Sequence, residues 1–146
     1  EKRMRLIETC CEFECEYLRK HGGRLYPHVE DTLEKLSARY PLYIVSNCQD
    51  GYIEAMFAVH GLQKYFRDYE CSGRTGKAKF ENLKSIVERN HLQQPVYIGD
   101  TKTDQVSCCK AGIPFIYASF GFGEADDYAA SVDTFSKLAQ LFLTEQ

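Results

Sequence analysis

The sequence predicts an α/β protein in which a parallel sheet is covered by helices on both faces. Short β-favouring apolar runs, at 42–45, 96–98 and 114–118, alternate along the chain with longer segments of helical periodicity. This alternation is typical of strand–helix–strand units, which build parallel sheets. A length of 146 residues with 44% hydrophobic residues suits one domain with a sizeable core.

In the first half of the chain, the spacing of apolar residues predicts three helices, at 2–21, 29–40 and 50–60. The apolar face of the first helix is formed by Met4, Ile7, Cys11, Cys15 and Leu18. Gly22 and Gly23 end that helix, and Pro41 ends the second. Two strands are predicted, a buried one at 42–45 and a weaker edge strand at 65–71.

The second half of the chain also alternates predicted helices and strands. Helices are predicted at 77–90, 103–111 and 135–143, and strands at 96–98 and 114–118. In the first of these helices Leu83, Ile86 and Val87 face inward. Two glycine-containing loops, at 72–76 and 119–123, connect the elements. The whole pattern therefore predicts strands that run in parallel and end at one common edge.

Composition excludes several classes of function. A net charge of −3 gives no electrostatic basis for binding nucleic acid or an anionic membrane. No apolar run approaches the ~20 residues that span a bilayer, and the polar start of the chain has no signal-peptide pattern. The seven cysteines are odd in number and include no Cys-x-x-Cys pair, so we expect buried thiols in a reducing cytoplasm. The oligomeric state is left open.

Two carboxylates follow the strand at 96–98. Asp100 comes directly after Gly99, which ends the strand, and Asp104 lies near the start of the next helix. The carboxyl edge of a parallel sheet is the usual ligand crevice, and carboxylate oxygens there suit Mg²⁺. The structural alternative is that Asp100 caps the helix and Asp104 is an exposed acid in its first turn.

Other polar residues are expected at the same edge. Ser46 and Asn47 follow the strand at 42–45, and their hydroxyl and backbone N–H groups can hold phosphate oxygens. A lysine of the next loop, Lys77 or Lys79, adds a positive charge. Taken singly, the serine is more often a turn residue and the lysine a solvated one. Their order after successive strands nevertheless predicts a phosphoryl-transfer site.

With these motifs the chain resembles the haloacid dehalogenase (HAD) superfamily, in the branch with an inserted α-helical cap that includes phosphoglycolate phosphatase-like hydrolases. Ile44-Val45-Ser46-Asn47 is similar to the second motif of the family, and Gly76-Lys77-Ala78-Lys79 to the third. The stretch from Tyr97 through Asp104 is similar to the fourth motif. Tyr26-Pro27-His28-Val29 and Ala111-Gly112-Ile113-Pro114 are also similar, so the resemblance covers residues 24–143.

The resemblance implies a Rossmann-like parallel sheet and a Mg²⁺-dependent phosphatase that acts on a small phosphorylated metabolite through an aspartyl-phosphate. It implies that Ser46, with Asn47, binds the phosphoryl group and that the lysine stabilises nucleophile and phosphate. Asp100 would help to hold Mg²⁺, with Asp104 as a supporting carboxylate. The family lysine usually precedes a proline, and none follows Lys77 or Lys79, so the sequence leaves the choice between them open.

The nucleophile is the larger departure from the family pattern. The family uses an Asp-x-Asp pair after its first strand, and no Asp-x-Asp occurs in the 146 residues. The expected organisation is the C-terminal part of a helical cap at residues 1–23 and an α/β core at 24–146 that lacks its first strand. We therefore expect a gap between the strands at 42–45 and 96–98, unless those strands pair directly or another segment fills it. We also expect no phosphatase activity of these residues alone.

Other functions fit parts of the same pattern. A sugar phosphomutase of the family would share these motifs, and a non-catalytic HAD-like module would keep the fold and bind a ligand or partner. A receiver-type signalling domain also has Asp, Ser or Thr, and Lys at its sheet edge. It requires an acidic pair after its first strand, which this sequence does not contain. An Asp-x-Asp segment before residue 1 would favour the phosphatase.

Overall fold

The computed structural model describes residues 2–144 and confirms the predicted α/β class. The helices are α1 (Lys2–His21), α2 (Val29–Ser37), α3 (Tyr52–His60), α4 (Ser72–Thr75), α5 (Lys79–Arg89), α6 (Lys102–Ala111) and α7 (Lys137–Leu143). A 3₁₀ turn spans Leu62–Tyr65. The strands are β1 (Leu42–Ser46), β2 (Phe66–Cys71), β3 (Tyr97–Gly99), β4 (Phe115–Ala118) and β5 (Ala130–Val132).

Three of these elements, the 3₁₀ turn, the one-turn helix α4 and the strand β5, were not predicted. The Ala-Ser-Val sequence of β5 has no apolar run, so periodicity gave no signal. It becomes a strand because it pairs in parallel with β4, with Ala130 opposite Ile116 and Val132 opposite Ala118. This pairing extends the sheet beyond the last strand that the sequence predicted.

The five strands form two separate parallel sheets. In one sheet β1 pairs with β2, so that Ser46 lies opposite Cys71. In the other, the order is β3, β4, β5. Within residues 2–144 no strand pairing joins β1 to β3, although both run with their carboxyl ends at the site described below. The sheet of this α/β fold is therefore interrupted between β1 and β3.

Apolar packing on both faces holds the two sheets together. On one face, Val45 of β1 and Phe115 of β4 belong to one buried cluster that also includes side chains of α5 and α6. On the other face, Leu42 of β1 and Ile98 of β3 pack against a second cluster, which consists of Leu36, Val132 and Leu138. Burial of this apolar surface, rather than strand pairing, stabilises the junction between the sheets.

Helix α1 packs against α3 through only part of its predicted apolar face. Cys15 is buried and Cys11 and Leu18 are partly buried, but Ile7 is 48% exposed, so its predicted burial is wrong. The reason is length, since α3 has 9 residues against 20 in α1 and lies along the second half of that helix. The side chain of Met4 lies outside what the structure describes. No helix of the described residues is long and apolar enough to cross a membrane.

Candidate functional site

The start of α6 is shaped by reciprocal hydrogen bonds between Thr101 and Asp104. The Asp104 backbone N–H donates to the Thr101 hydroxyl (3.1 Å), and the Thr101 backbone N–H donates to Asp104 Oδ2 (3.1 Å). This is a capping box, with Thr101 as the N-cap residue. The structural alternative for the two acids is therefore wrong, because Asp100 does not cap the helix and Asp104 is only 4% exposed.

Asp104 is a buried carboxylate surrounded by donors. Its Oδ2 also accepts from the Asp100 backbone N–H (3.2 Å) and the Thr101 hydroxyl (2.8 Å), and its Oδ1 forms an ion pair with Lys79 Nζ. Burial raises the pKa of Asp104, but hydrogen bonds from Lys79 and Thr101 outweigh burial and bring the pKa below its ordinary value. The carboxylate is therefore charged at neutral pH.

The two candidate lysines lie in different environments. Lys79 is the first residue of α5, its side chain is 10% exposed, and its Nζ also donates to the Tyr97 hydroxyl (3.2 Å). Burial lowers the pKa of Lys79, while Tyr97 and Asp104 raise it, and the net pKa is above its ordinary value. Lys77 is exposed in the preceding loop, and its side chain has no hydrogen bond to any described residue. The structure thus brings Lys79, and not Lys77, to Asp104.

Tyr97 connects the Lys79–Asp104 ion pair to the sheet of β1 and β2, a role that the sequence did not predict. Its hydroxyl accepts from Lys79 Nζ and donates to the carbonyl oxygen of Val45 (2.8 Å), one residue before Ser46. Burial raises the pKa of Tyr97 to about 12, so the hydroxyl keeps its proton. The only sequence signal was a hydroxyl-bearing residue in a short buried strand, where such a group requires a partner.

Ser46 and Asn47 lie at the end of β1, where they were expected. The Ser46 hydroxyl accepts from the backbone N–H of Cys48 (3.1 Å), and the side-chain oxygen of Asn47 accepts from the Ser72 hydroxyl (3.1 Å). The first bond lies within the loop after β1, and the second ties that loop to the turn after β2. The Asn47 side chain therefore has a fixed orientation at the edge where Lys79 is also found.

The turn after β2 supports this loop through two residues that the sequence analysis did not select. The backbone N–H of Gly73 donates to the carbonyl of Cys48 (3.0 Å), and a Cβ on Gly73 would lie 2.2 Å from the backbone nitrogen of Asp50. Arg74 forms ion pairs with Asp50 (3.2 Å) and with Glu54. The close approach requires glycine, and the ion pairs connect α4 to the loop after β1 and to α3.

Asp100 lies between β3 and α6, beside the loop at 119–123. Its Oδ2 accepts from the backbone N–H of Phe122 (2.8 Å), and its Oδ1 has no hydrogen-bond partner within residues 2–144. A carboxylate oxygen left without a donor is the kind of ligand that Mg²⁺ takes. Among the described residues no three His, Cys, Asp or Glu side chains form a metal-binding group. The Oδ1 atom of Asp100 could therefore occupy one coordination position of a hard cation.

A cavity of about 400 Å³ opens at this edge of the molecule. Its wall combines Asn47 after β1 with Lys79 at the start of α5, and Lys102 and Lys110 of α6 also line it. Of the three lysines, Lys79 is paired with Asp104 and Lys102 with Asp126, so two of the three positive charges are offset. The first turns of two helices at the cavity favour an anionic ligand. The predicted residues Asn47 and Lys79 thus line one concave site, whereas Ser46, Asp100 and Asp104 do not line it.

The parallel α/β fold and its acid–lysine cluster together define the core of a Rossmann-like hydrolase. The family model for haloacid dehalogenase-like hydrolases matches residues 3–118. The chain belongs to this family, which confirms the resemblance seen in its motifs.

Known proteins resemble the chain over most of its length. It is 30% identical over 127 residues to a phosphoglycolate phosphatase from Vibrio vulnificus strain CMCP6, which covers 82% of this chain and 55% of that protein. A haloacid dehalogenase-like hydrolase structure from Streptococcus pneumoniae superposes with a TM-score of 0.78 at 23% identity, over 93% of this chain and 70% of that one. A HAD hydrolase from Bacillus subtilis, solved with magnesium bound, gives a TM-score of 0.72 at 21% identity, over 89% and 60%.

The chain spans about half the length of the curated relatives it matches. The structural likenesses, at identities under 25%, show a shared fold. The fold and the hydrolase family are therefore established for this chain.

Proposed function

We propose that this chain carries the phosphate-binding and metal-binding part of a HAD phosphatase site that acts on small phosphate esters. The observation that carries the proposal is the buried Lys79–Asp104 ion pair, which lies next to Asp100 and is linked through Tyr97 to the end of β1. Phosphoryl transfer needs fixed positive charge and an oxygen ligand for a divalent cation at one place. The cluster supplies both at the carboxyl edge of the sheets.

In this proposal Ser46 and Asn47 bind oxygens of the phosphoryl group, together with Lys79. A lysine ammonium has three N–H donors, and Asp104 and Tyr97 take two of the Lys79 donors. The third can bind a phosphate oxygen, since the side chain lines the cavity. Asp104 is a positioning residue that holds this ammonium in place. Lys77, which is exposed, has no part in the site.

Asp100 is the proposed ligand for Mg²⁺, through the oxygen that does not bind Phe122. The bound cation would neutralise charge on the phosphoryl oxygens. Because Mg²⁺ keeps several waters, one carboxylate with the phosphate group is a reasonable first set of ligands. The magnesium bound to the Bacillus subtilis hydrolase supports the choice of metal.

The nucleophile of the proposed reaction is not supplied by the residues of the site that the structure describes. The Ser46 hydroxyl accepts from a backbone N–H and has no base bonded to it within the described residues. Burial raises the pKa of Cys48, which disfavours the thiolate that a nucleophilic cysteine needs. We therefore propose that a strand bearing Asp-x-Asp fits between β1 and β3, and that residues 1–146 alone do not hydrolyse phosphate esters.

The proposed substrate is a small phosphorylated metabolite, and the phosphoglycolate phosphatase from Vibrio vulnificus makes phosphoglycolate the first compound to test. The cytoplasm is the proposed location, because all seven cysteines are free thiols and thiols persist in reducing compartments. The net charge of −3 argues against a nucleic-acid partner.

The test compares two chains in a phosphatase assay with p-nitrophenyl phosphate, phosphoglycolate and Mg²⁺. One is the 146-residue chain, and the other is the same chain preceded by the first strand and Asp-x-Asp segment of a family member, here called the extended chain. We expect hydrolysis by the extended chain only. Equal rates would place the nucleophile within the 146 residues. Binding of phosphoglycolate by the extended chain without turnover would favour the non-catalytic module.

A further inference from the structure

The loop at 119–123 lies directly against Asp100. A Cβ on Gly121 would come within 2.2 Å of the Asp100 Cβ, and a Cβ on Gly123 within 2.8 Å of the Asp100 carbonyl oxygen. Both distances are shorter than those that real Cβ atoms show. Glycine is therefore required at both positions for the backbone of this loop to approach so closely.

The contact that results is made by the main chain. The backbone N–H of Phe122 donates to Asp100 Oδ2 (2.8 Å), while the phenyl ring of Phe122 is 96% exposed. Within residues 2–144 no group donates to Asp100 Oδ1. One oxygen of the carboxylate is thus fixed by the loop, and the other is left for a ligand.

The loop is held at both of its ends by the rest of the fold. The backbone N–H of Gly121 donates to the Ala118 carbonyl (3.0 Å), and the Tyr117 hydroxyl donates to the Gly123 carbonyl (3.0 Å). Further along, the backbone N–H of Asp126 donates to Gln105 of α6 (3.1 Å). These bonds fix the loop to β4 and α6.

We propose that Gly121 and the backbone N–H of Phe122 position Asp100 as a one-oxygen ligand for a divalent cation. This inference rests on the proposed function, in which Asp100 holds Mg²⁺. Hydrogen bonds to a ligating carboxylate fix its orientation, and their loss typically costs about 10- to 100-fold in metal affinity. A carboxylate fixed in this way suits the near-octahedral geometry of Mg²⁺ and Mn²⁺, whereas Ca²⁺ often takes both oxygens.

The experiment follows amide signals of the ¹⁵N-labelled 146-residue chain as Mn²⁺ is added, because line broadening detects weak binding and shows where the ion lies. We expect the amides of Asp100 and Phe122 to broaden first. For Gly121→Ala, the same broadening should require about tenfold more Mn²⁺. Gly23→Ala is the matched control, since a Cβ there meets nothing within 4 Å, and it should behave like the original chain.

The Phe122 amide also gives a readout without metal. In the metal-free chain, Asp100→Asn should shift the Phe122 amide proton strongly, because the hydrogen bond then ends on a neutral amide group. If Gly121→Ala disturbs folding, as judged from the amide signals of β1, the Phe122 amide proton in the folded Asp100→Asn variant becomes the deciding measurement, and an unchanged chemical shift would overturn the contact.

The outcomes separate this inference from the proposed function. Loss of broadening in Asp100→Asn together with an unchanged titration in Gly121→Ala would overturn the positioning role and leave the metal assignment standing. Broadening that persists in Asp100→Asn, or that is absent from the original chain, would overturn the metal assignment and the inference with it. The positioning role is supported if Asp100→Asn loses the broadening, Gly121→Ala requires about tenfold more Mn²⁺ for it, and Gly23→Ala behaves like the original chain.

Discussion

At the scale of single residues, the charge on Asp104 determines how the site is organised. The side chain of Asp104 is 5% exposed and that of Lys79 is 10% exposed. Because water is largely excluded from both groups, each charge is compensated mainly by the other. Removing one partner of such a buried pair leaves an uncompensated charge, which is more costly than the loss of a surface ion pair. Lys77, exposed in the adjacent loop, provides the natural comparison.

Lys79→Ala should therefore lower the free energy of unfolding of the 146-residue chain by about 3–5 kcal/mol. Lys77→Ala should change it by less than about 0.5 kcal/mol, as is usual for an exposed side chain. In the extended chain, Lys79→Ala should reduce phosphatase turnover by about 10²-fold and Lys77→Ala should have little effect. Urea unfolding and steady-state assays measure the two properties. Mild effects of both substitutions on turnover would show that neither lysine serves the site.

The same ion pair predicts how stability depends on pH. The folded-state pKa of Asp104 is lowered, so its stabilising contribution is fully present above the unfolded-state value of about 3.9 and is lost as pH falls through the lower folded-state value. Between about pH 6 and about pH 3, the original chain should lose more stability than the double variant Lys79→Met, Asp104→Asn. Urea unfolding at a series of pH values checks this, and parallel losses in both proteins would argue against the assignment.

At the scale of elements, a side-chain hydrogen bond crosses the break between β1 and β3. The Tyr97 hydroxyl of β3 binds the Val45 carbonyl of β1, and the Lys79 ammonium of α5 binds the same hydroxyl. Three elements therefore meet at one oxygen atom, close to the end of β1 where Ser46 begins the proposed phosphate-binding loop. The hydroxyl keeps its proton at neutral pH, so the donor to Val45 is always present.

Tyr97→Phe should destabilise the chain by about 1–3 kcal/mol, because it leaves a buried carbonyl without its donor. Tyr128→Phe is the matched control, since Tyr128 is 44% exposed and its hydroxyl has no hydrogen bond to the described residues. We expect the control to change stability by less than about 0.5 kcal/mol. Urea midpoints compare the two variants, and equal effects would mean that the Tyr97 hydroxyl does not join the sheets.

At the scale of the whole molecule, two sheets share one set of covering helices. The facing edges of β1 and β3 have no strand partner within the described residues, and unpaired strand edges are sites where another strand can add. Packing through the clusters around Val45 and Leu36 keeps the two sheets side by side. The break between β1 and β3 is thus the place where the proposed further strand would pair.

Filling that position should stabilise the molecule. The extended chain should unfold at a higher urea concentration than the 146-residue chain, because the new strand pairs with both edges. Amide protons of β1 and β3 that face the break should exchange more slowly in the extended chain. Hydrogen exchange followed by NMR measures this residue by residue. Unchanged exchange at these amides would show that the added strand lies elsewhere.

The sequence predicted the elements and the common edge better than it predicted side-chain partners. Strand order and right-handed crossovers placed Ser46 and Asp100 at one edge, because these rules depend on the chain direction alone. The choice between the two lysines depends on which residue begins α5, and helix ends are poorly defined by periodicity. The bond from Tyr97 to Val45 joins residues 52 positions apart, a distance over which local patterns carry no information.

The most direct test of the proposed phosphoryl-transfer site is the Mg²⁺ dependence of turnover in the extended chain with and without Asp100→Ala. With Asp100 in place, we expect Mg²⁺-dependent hydrolysis of p-nitrophenyl phosphate. We expect Asp100→Ala to lose this activity at every Mg²⁺ concentration while its urea midpoint stays nearly unchanged, because Asp100 lies at the sheet edge outside the apolar core. Equal turnover of the two proteins at saturating Mg²⁺ would show that Asp100 does not hold the metal.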